Sequence, residues 1–160
     1  MKRRIFEFDI MGRKELVVSA LENGTVLDHI PAENVYKALD ILNLKGIENQ
    51  ITIGINLTSK AQGRKGIIKI EDKFFEDDEL NKLALLAPEA TVNVIRDFKV
   101  VEKKKIVMPD EVIGIAKCMN PKCVTNHQPI KTRFQVKAEG KDITLLCHYC
   151  EKVSDTKGMF

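Results

Sequence analysis

Four cysteines, confined to the last third of the chain and set in two pairs, restrict most sharply what it can fold into. Cys118 and Cys123 bracket Met119-Asn120-Pro121-Lys122, and Cys147 and Cys150 bracket His148-Tyr149. A C-terminal stretch of this size buries too little core to be stable alone and needs a staple. Two short-gapped thiol pairs suit structural zinc, because each offers two ligands from a turn and a hairpin between them closes the tetrahedron. The gaps are 4 and 2 residues, and 23 residues separate the pairs. Asn120-Pro121-Lys122 adds turn chemistry at the first pair. The other readings are buried thiols, two disulfides, or a redox role for Cys147 and Cys150, although no thioredoxin-like βαβ unit surrounds them. His127 and His148 are rival ligands, but four thiolates leave them unneeded. Four thiolates also fill the ion, so no position remains for activated water. The His-x-Glu motif of zinc deaminases is absent as well. The metal is therefore expected to stabilise, with about 10–16 kcal/mol of zinc-linked folding energy, and not to catalyse.

With 160 residues, 44% apolar and 31% charged, the chain reads as one domain or two small ones, globular and soluble. No apolar run approaches the roughly 18 residues of a membrane span. Met1-Lys2-Arg3-Arg4 resembles the start of a signal peptide, but Glu7 and Asp9 interrupt the apolar residues that follow. The expectation is a cytoplasmic protein, where a reducing medium favours metal over disulfides. Pro109 to Phe160 holds 8 Lys plus Arg against 6 Asp plus Glu. A tetrathiolate zinc site brings that stretch close to neutral. A nucleic-acid-binding zinc ribbon, the alternative function, usually shows a clearly basic face.

The N-terminal part alternates between two periodicities. Residues 14–22 are β-prone and end at the turn signal Asn23-Gly24; a second extended piece runs from Thr25 to Ile30. After Pro31, Val35, Leu39 and Leu42 recur at helical spacing and predict a helix over 32–44. Residues 50–57 predict a strand, 60–66 a basic turn and 67–71 another strand. Asp77, Asp78 and Glu79 suit a helix N-terminus, and Pro88 stops that helix. Residues 91–101 predict a last strand. The order β-α-β-β-α-β is the ferredoxin-like pattern: a four-stranded antiparallel sheet with two helices on one face. Lys103 to Glu111 reads as a hinge. Beyond it, strands are expected over 129–138 and 141–147 with a turn at Glu139-Gly140. The expected fold is thus α+β, with a ferredoxin-like domain over 1–108 and a small β-rich zinc-binding domain over 109–160. No Walker A loop, nucleophile elbow or dinucleotide fingerprint is present.

Together these segments resemble the regulatory chain of aspartate carbamoyltransferase, from about Leu16 to Glu151. The resemblance is carried by Asn23-Gly-Thr-Val-Leu-Asp-His-Ile30, Ile53-Gly-Ile-Asn-Leu57, Gly63-Arg-Lys65 with Ile68-Lys-Ile-Glu71, and Ala87-Pro-Glu-Ala-Thr-Val-Asn93. The two cysteine phrases, Cys118 to Cys123 and Cys147-His-Tyr-Cys-Glu151, complete it. It implies a non-catalytic subunit that binds CTP or UTP as inhibitors and ATP as activator, in pyrimidine nucleotide biosynthesis. It places Asp28 and Lys69 at the sugar and base, Lys65 and Asn93 in the same pocket, and Lys103 at the phosphates with His29 beside them. Backbone groups of Ala20, Leu21 and Ile95 would read the base edge, and Val18, Val26, Ile67 and Val100 would be apolar lining. It further implies a zinc domain docked on the catalytic chain, a self-pairing N-terminal domain, and two catalytic trimers joined by three regulatory dimers. Three departures stand out. Gly66 replaces an acid and is expected to loosen a turn, Met119 replaces a proline, and the extension 1–13 is long.

Overall fold

The computed structural model describes residues 8–10, 13–15, 20–60 and 63–160. A short antiparallel hairpin comes first, with β1 at Phe8–Ile10 and β2 at Arg13–Glu15. The strand expected over 14–22 overlaps β2 at only two residues. Residues 16–19 lie outside the described residues, and Ala20–Asn23 are not strand.

The first large unit is a five-stranded antiparallel sheet. Its strands are β3 (Gly24–Pro31), β4 (Ile51–Ser59), β5 (Gly63–Glu71), β6 (Thr91–Arg96) and β7 (Lys99–Lys105), in the order β4-β5-β3-β6-β7. The first four in that order are the ferredoxin-like sheet the periodicity predicts; β7 is an addition. The run 91–101, expected as one strand, breaks at Asp97 and Phe98, whose φ values are +48° and +63°. Two consecutive left-handed residues make the tight turn that matches strand twist, so the chain folds back. The stretch 60–66, expected as a turn, is also corrected in part: β5 already begins at Gly63. Gly66 does not loosen a turn. It is buried within β5, where a Cβ would lie 2.1 Å from Val35 Cγ2.

The helices are shorter than predicted. A 3-10 turn at Ala32–Asn34 leads into α1, Val35–Ile41. Asn43 (φ +51°) then ends it, with Leu44 N–H donating to Leu39 O at 2.9 Å and Asn43 N–H to Asp40 O at 3.1 Å. This is the Schellman pattern, and it stops the helix although the apolar spacing continues to Leu44. The second helix, α2 (Asp77–Asn81), starts on a reciprocal Glu76/Glu79 capping box and tightens into a 3-10 turn at Lys82–Leu85. Both helical segments cover one sheet face: Val35, Ala38, Leu39, Leu80, Leu83 and Ala84 form a single core with Leu27, Ile68, Ile70 and Val92.

The second unit is a four-stranded antiparallel sheet in the order β11-β10-β9-β8. Its strands are β8 (Glu111–Ile113), β9 (Arg133–Glu139), β10 (Asp142–Cys147) and β11 (Val153–Asp155). The expected hairpin is β9–β10, turning at Gly140 (φ +62°) and Lys141. Strand β9 starts later than predicted; just before it, Thr132 Oγ1 donates to Ala116 O at 2.6 Å. The sequence reading did not foresee the short outer strands β8 and β11. The core here holds Phe134, Leu145, Val112, Met159, Cys118, Cys123 and Cys147, and Leu85 joins it from the other unit. Met108 packs against both cores. Lys103–Lys105, expected at the start of the hinge, belong to β7, and Ile106 is buried in the first core.

Candidate functional site

The four cysteine sulfurs converge within 4.8 Å of one another. Cys118 Sγ lies 3.7 Å from Cys150 Sγ, and Cys123 Sγ lies 3.8 Å from Cys147 Sγ. These distances rule out disulfides, which need about 2.05 Å. Four sulfurs held about 2.3 Å from a central ion are about 3.8 Å apart along each tetrahedron edge. The donor set therefore fits a tetrahedral metal ion, with each contact pair joining one cysteine from each knuckle. Backbone geometry presents the sulfurs to donors as well. Cys118 accepts from the Asn120 N–H, Cys123 from the Thr125 N–H, Cys147 from the Tyr149 and Cys150 N–H groups, and Cys150 from the Lys152 N–H. Burial pushes the Cys118 thiol up to about 12. Cys150 also feels desolvation, but the Asn120 side chain, the Lys152 N–H and its sulfur neighbours outweigh it and bring the thiol down to about 6. A group so disposed to carry negative charge among close sulfurs suits a cation at the centre. His127 and His148 stand outside the four-sulfur cluster. The His127 ring sits 2.7 Å from Pro121 O, and His148 packs edge-on against Tyr149.

The second site lies on the sheet face away from the helices. Strand register places Thr52 beside Lys69, Lys69 beside Val26, Val26 beside Asn93 and Asn93 beside Lys103. Directly paired residues share a face, and alternation sends this row opposite to Leu27, Ile68 and Val92. Four strands thus deliver two lysines, an asparagine and a threonine as one polar row. At one end β3 bulges between Leu27 and Ile30, with His29 at φ +60°. There Lys65 Nζ meets both Asp28 carboxylate oxygens, at 2.7 and 3.0 Å, and the Asp28 carboxylate accepts the His29 N–H at 2.7 Å. The His29 ring reaches Thr91 Oγ1 at 3.4 Å. Partial burial lowers the Lys69 pKa below its ordinary value, against the pull of Asp28. At the other end, Ala20, Leu21, Glu22, Gln50, Thr52, Lys69, Glu71 and Phe98 enclose a cavity of about 60 Å³.

Comparison with known proteins adds an independent result. Residues 16–107 match the family model of the aspartate carbamoyltransferase regulatory chain, allosteric domain. Residues 110–159 match that of the same chain's metal binding domain. The chain belongs to the family of aspartate carbamoyltransferase regulatory chains. It is 53% identical over 140 residues to the aspartate carbamoyltransferase regulatory chain of Parabacteroides distasonis, covering 88% of this chain and 90% of that one. It is 48% identical over 142 residues to that of Porphyromonas gingivalis, covering 89% and 93%. It is also 50% identical over 142 residues to that of Thermococcus sibiricus, again covering 89% and 93%. A regulatory chain is a non-catalytic part of its enzyme, and its family's metal binding domain coincides here with the four-cysteine cluster.

Within this regulatory chain, Val26, Asp28, Lys69, Asn93 and Lys103 share the open sheet face, and Lys65 joins it through Asp28. Ala20 and Leu21 wall the small cavity together with Lys69. Ile67 pairs with Gly54, two positions along β5 from Lys69. Ile95 is buried and pairs with Val100, which is 58% exposed at the far end of the face. Val18 lies outside the described residues. Sequence reasoning missed Glu22, Gln50, Thr52, Glu71 and Phe98 as cavity lining. Phe98 is the most telling, because a bulky residue at positive φ is a backbone outlier. Such strain is a pointer to function, but it is invisible until the turn is built. Among the described residues no helix is long and apolar enough to cross a membrane.

Proposed function

We propose that this regulatory chain binds nucleoside triphosphates on the open sheet face of its N-terminal unit and passes occupancy to catalytic chains. CTP and UTP would inhibit and ATP would activate by competing for one site. The observation that carries this reading is the cationic row Lys69–Lys103, flanked by the Lys65–Asp28 pair and ending at a small cavity. Ammonium groups along such a row suit a polyphosphate. The backbone of Ala20, Leu21 and Ile95 would read the base, Val18, Val26, Ile67 and Val100 would line it, and Asp28 would meet the sugar with His29 near the phosphates.

The metal is zinc in this reading, one ion per chain, held by Cys118, Cys123, Cys147 and Cys150. It supplies structure, since a complete thiolate set leaves no open coordination position. The functional division falls at residue 108, with a nucleotide-binding domain over 1–108, including the extension 1–13, and a zinc domain over 109–160. The zinc domain docks on the catalytic chain, the N-terminal domain pairs with its copy, and three such dimers join two catalytic trimers in the cytoplasm. Met108, packed on both cores, gives the two units a shared contact through which a shift can pass. A coupling energy of about 1–3 kcal/mol suffices for control.

Co-purification with the catalytic chain, followed by aspartate saturation curves with and without CTP, UTP and ATP, tests the reading. The expected result is a stable complex whose half-saturating aspartate concentration rises with CTP and falls with ATP. A complex whose curves no nucleotide moves would overturn the effector assignment while leaving the family membership intact.

A further inference from the structure

The first cysteine knuckle is held shut by a residue that is not one of its ligands. Asn126, in the 3-10 turn Val124–Asn126 just after Cys123, sends both amide hydrogens into the loop it follows. Its Nδ2 donates to Cys118 O at 2.9 Å and to Asn120 O at 2.8 Å. One side chain therefore satisfies two backbone carbonyls across the Cys118–Cys123 loop, one of them on a metal ligand. Asn120, whose carbonyl is gripped in this way, completes the frame. Its Oδ1 accepts the Lys122 N–H at 3.2 Å. Its N–H also donates to the Cys118 sulfur. Asn120 thereby ties the loop to one of its own metal ligands.

We infer that Asn126 is a positioning residue of the metal centre, clamping the first knuckle through the Cys118 and Asn120 carbonyls, and that this clamp sets how fast the ion is released. The physical ground is that groups orienting metal ligands contribute strongly to retention; their loss commonly costs about 10–100-fold in affinity. Asn126 has a further property. Its two donor hydrogens are both spent on carbonyls, so an isosteric carboxylate cannot replace them and would instead face two acceptor oxygens.

The test loads the purified full-length chain with Zn²⁺ and, in parallel, with Co²⁺. Release to a chromogenic chelator is then timed for wild type, Asn126→Asp, Asn126→Ala and Asn126→Ser. Release is expected to quicken by about tenfold or more in Asn126→Asp and Asn126→Ala. Asn126→Ser keeps one donor and should be intermediate, and it keeps the comparison decisive if the aspartate variant fails to load. The ordering should hold for both ions, so the result stands apart from which metal is native. The thiolate-to-cobalt absorption bands should persist in the variants, showing that the same four sulfurs still bind. Release rates within about twofold of wild type in the alanine and serine variants would overturn the inference. Faster release accompanied by loss of the four-thiolate spectrum would also overturn it, because that result marks a disrupted fold and not a released clamp.

Discussion

Lys69 illustrates how a single side chain acquires a role from its surroundings. In sequence it is one lysine among many, alternating with isoleucines along β5. In the fold it stands between Val26 and Thr52, partly desolvated, with Asp28 near enough to stabilise its charge. Burial lowers its pKa below 10.5, so the group is easier to neutralise than an exposed lysine. A bound polyanion favours the charged form and raises that pKa again. Nucleotide binding should therefore take up protons, and affinity should fall as pH rises through the lowered Lys69 pKa. Titration calorimetry across that range, in buffers of different ionisation enthalpy, measures both effects. Lys69→Met should weaken binding about tenfold or more and flatten the pH dependence. If the slope survives in Lys69→Met, another group is responsible.

At the scale of elements, the contact between β5 and α1 is the most exacting. Gly66 is buried against Val35, and an added Cβ would sit 2.1 Å from Val35 Cγ2. Val35 is fully buried in the first turn of α1 and is β-branched, so it cannot swing aside. Gly66→Ala should cost about 1–3 kcal/mol by overpacking. Val35→Ala should cost stability by itself, yet the pair Gly66→Ala/Val35→Ala should recover part of the sum. Urea unfolding of the four proteins closes that cycle, and strict additivity would disprove the clash. The reason strand and helix approach so closely is absent from the local pattern. Periodicity marks Val35 as core-facing, but only the packed sheet shows that its neighbour must lack a side chain. Element ends behave in the same way. The Schellman stop at Asn43 and the Asp97–Phe98 turn are both decided by left-handed residues that carry no glycine to announce them.

For the whole molecule, the second core cannot be separated from its metal ligands. Cys118, Cys123 and Cys147 are among its buried members, packed with Phe134, Leu145 and Met159. Removing the ion should therefore unfold this core, whereas the first core contains none of the four cysteines. Cys147→Ser should lose metal and fail to assemble with catalytic chains, while nucleotide binding to the N-terminal unit persists. Metal content, size-exclusion chromatography with catalytic chains and nucleotide titration read these three outcomes. Normal assembly of the metal-free variant would show that the metal does not shape the docking surface. Leu85, contributed to the second core by the first unit, and Met108, packed on both, are the places where such a loss should be felt next.

The four-cysteine site, the α+β order of the first unit and the family are all legible in the residues alone. Each rests on a local signal: two short thiol gaps, hydrophobic periodicity, and ordered phrases such as those at Asn23 and Ala87. The tertiary structure alone aligned Lys69, Val26, Asn93 and Lys103 in one row, because they come from four strands whose register sequence periodicity does not specify. It also decided the fifth strand, the cavity walled by Gln50 and Phe98, and the double grip of Asn126 on the first knuckle. Those features depend on strand pairing, left-handed turns and side-chain reach, which are properties of distance in space and not of spacing along the chain.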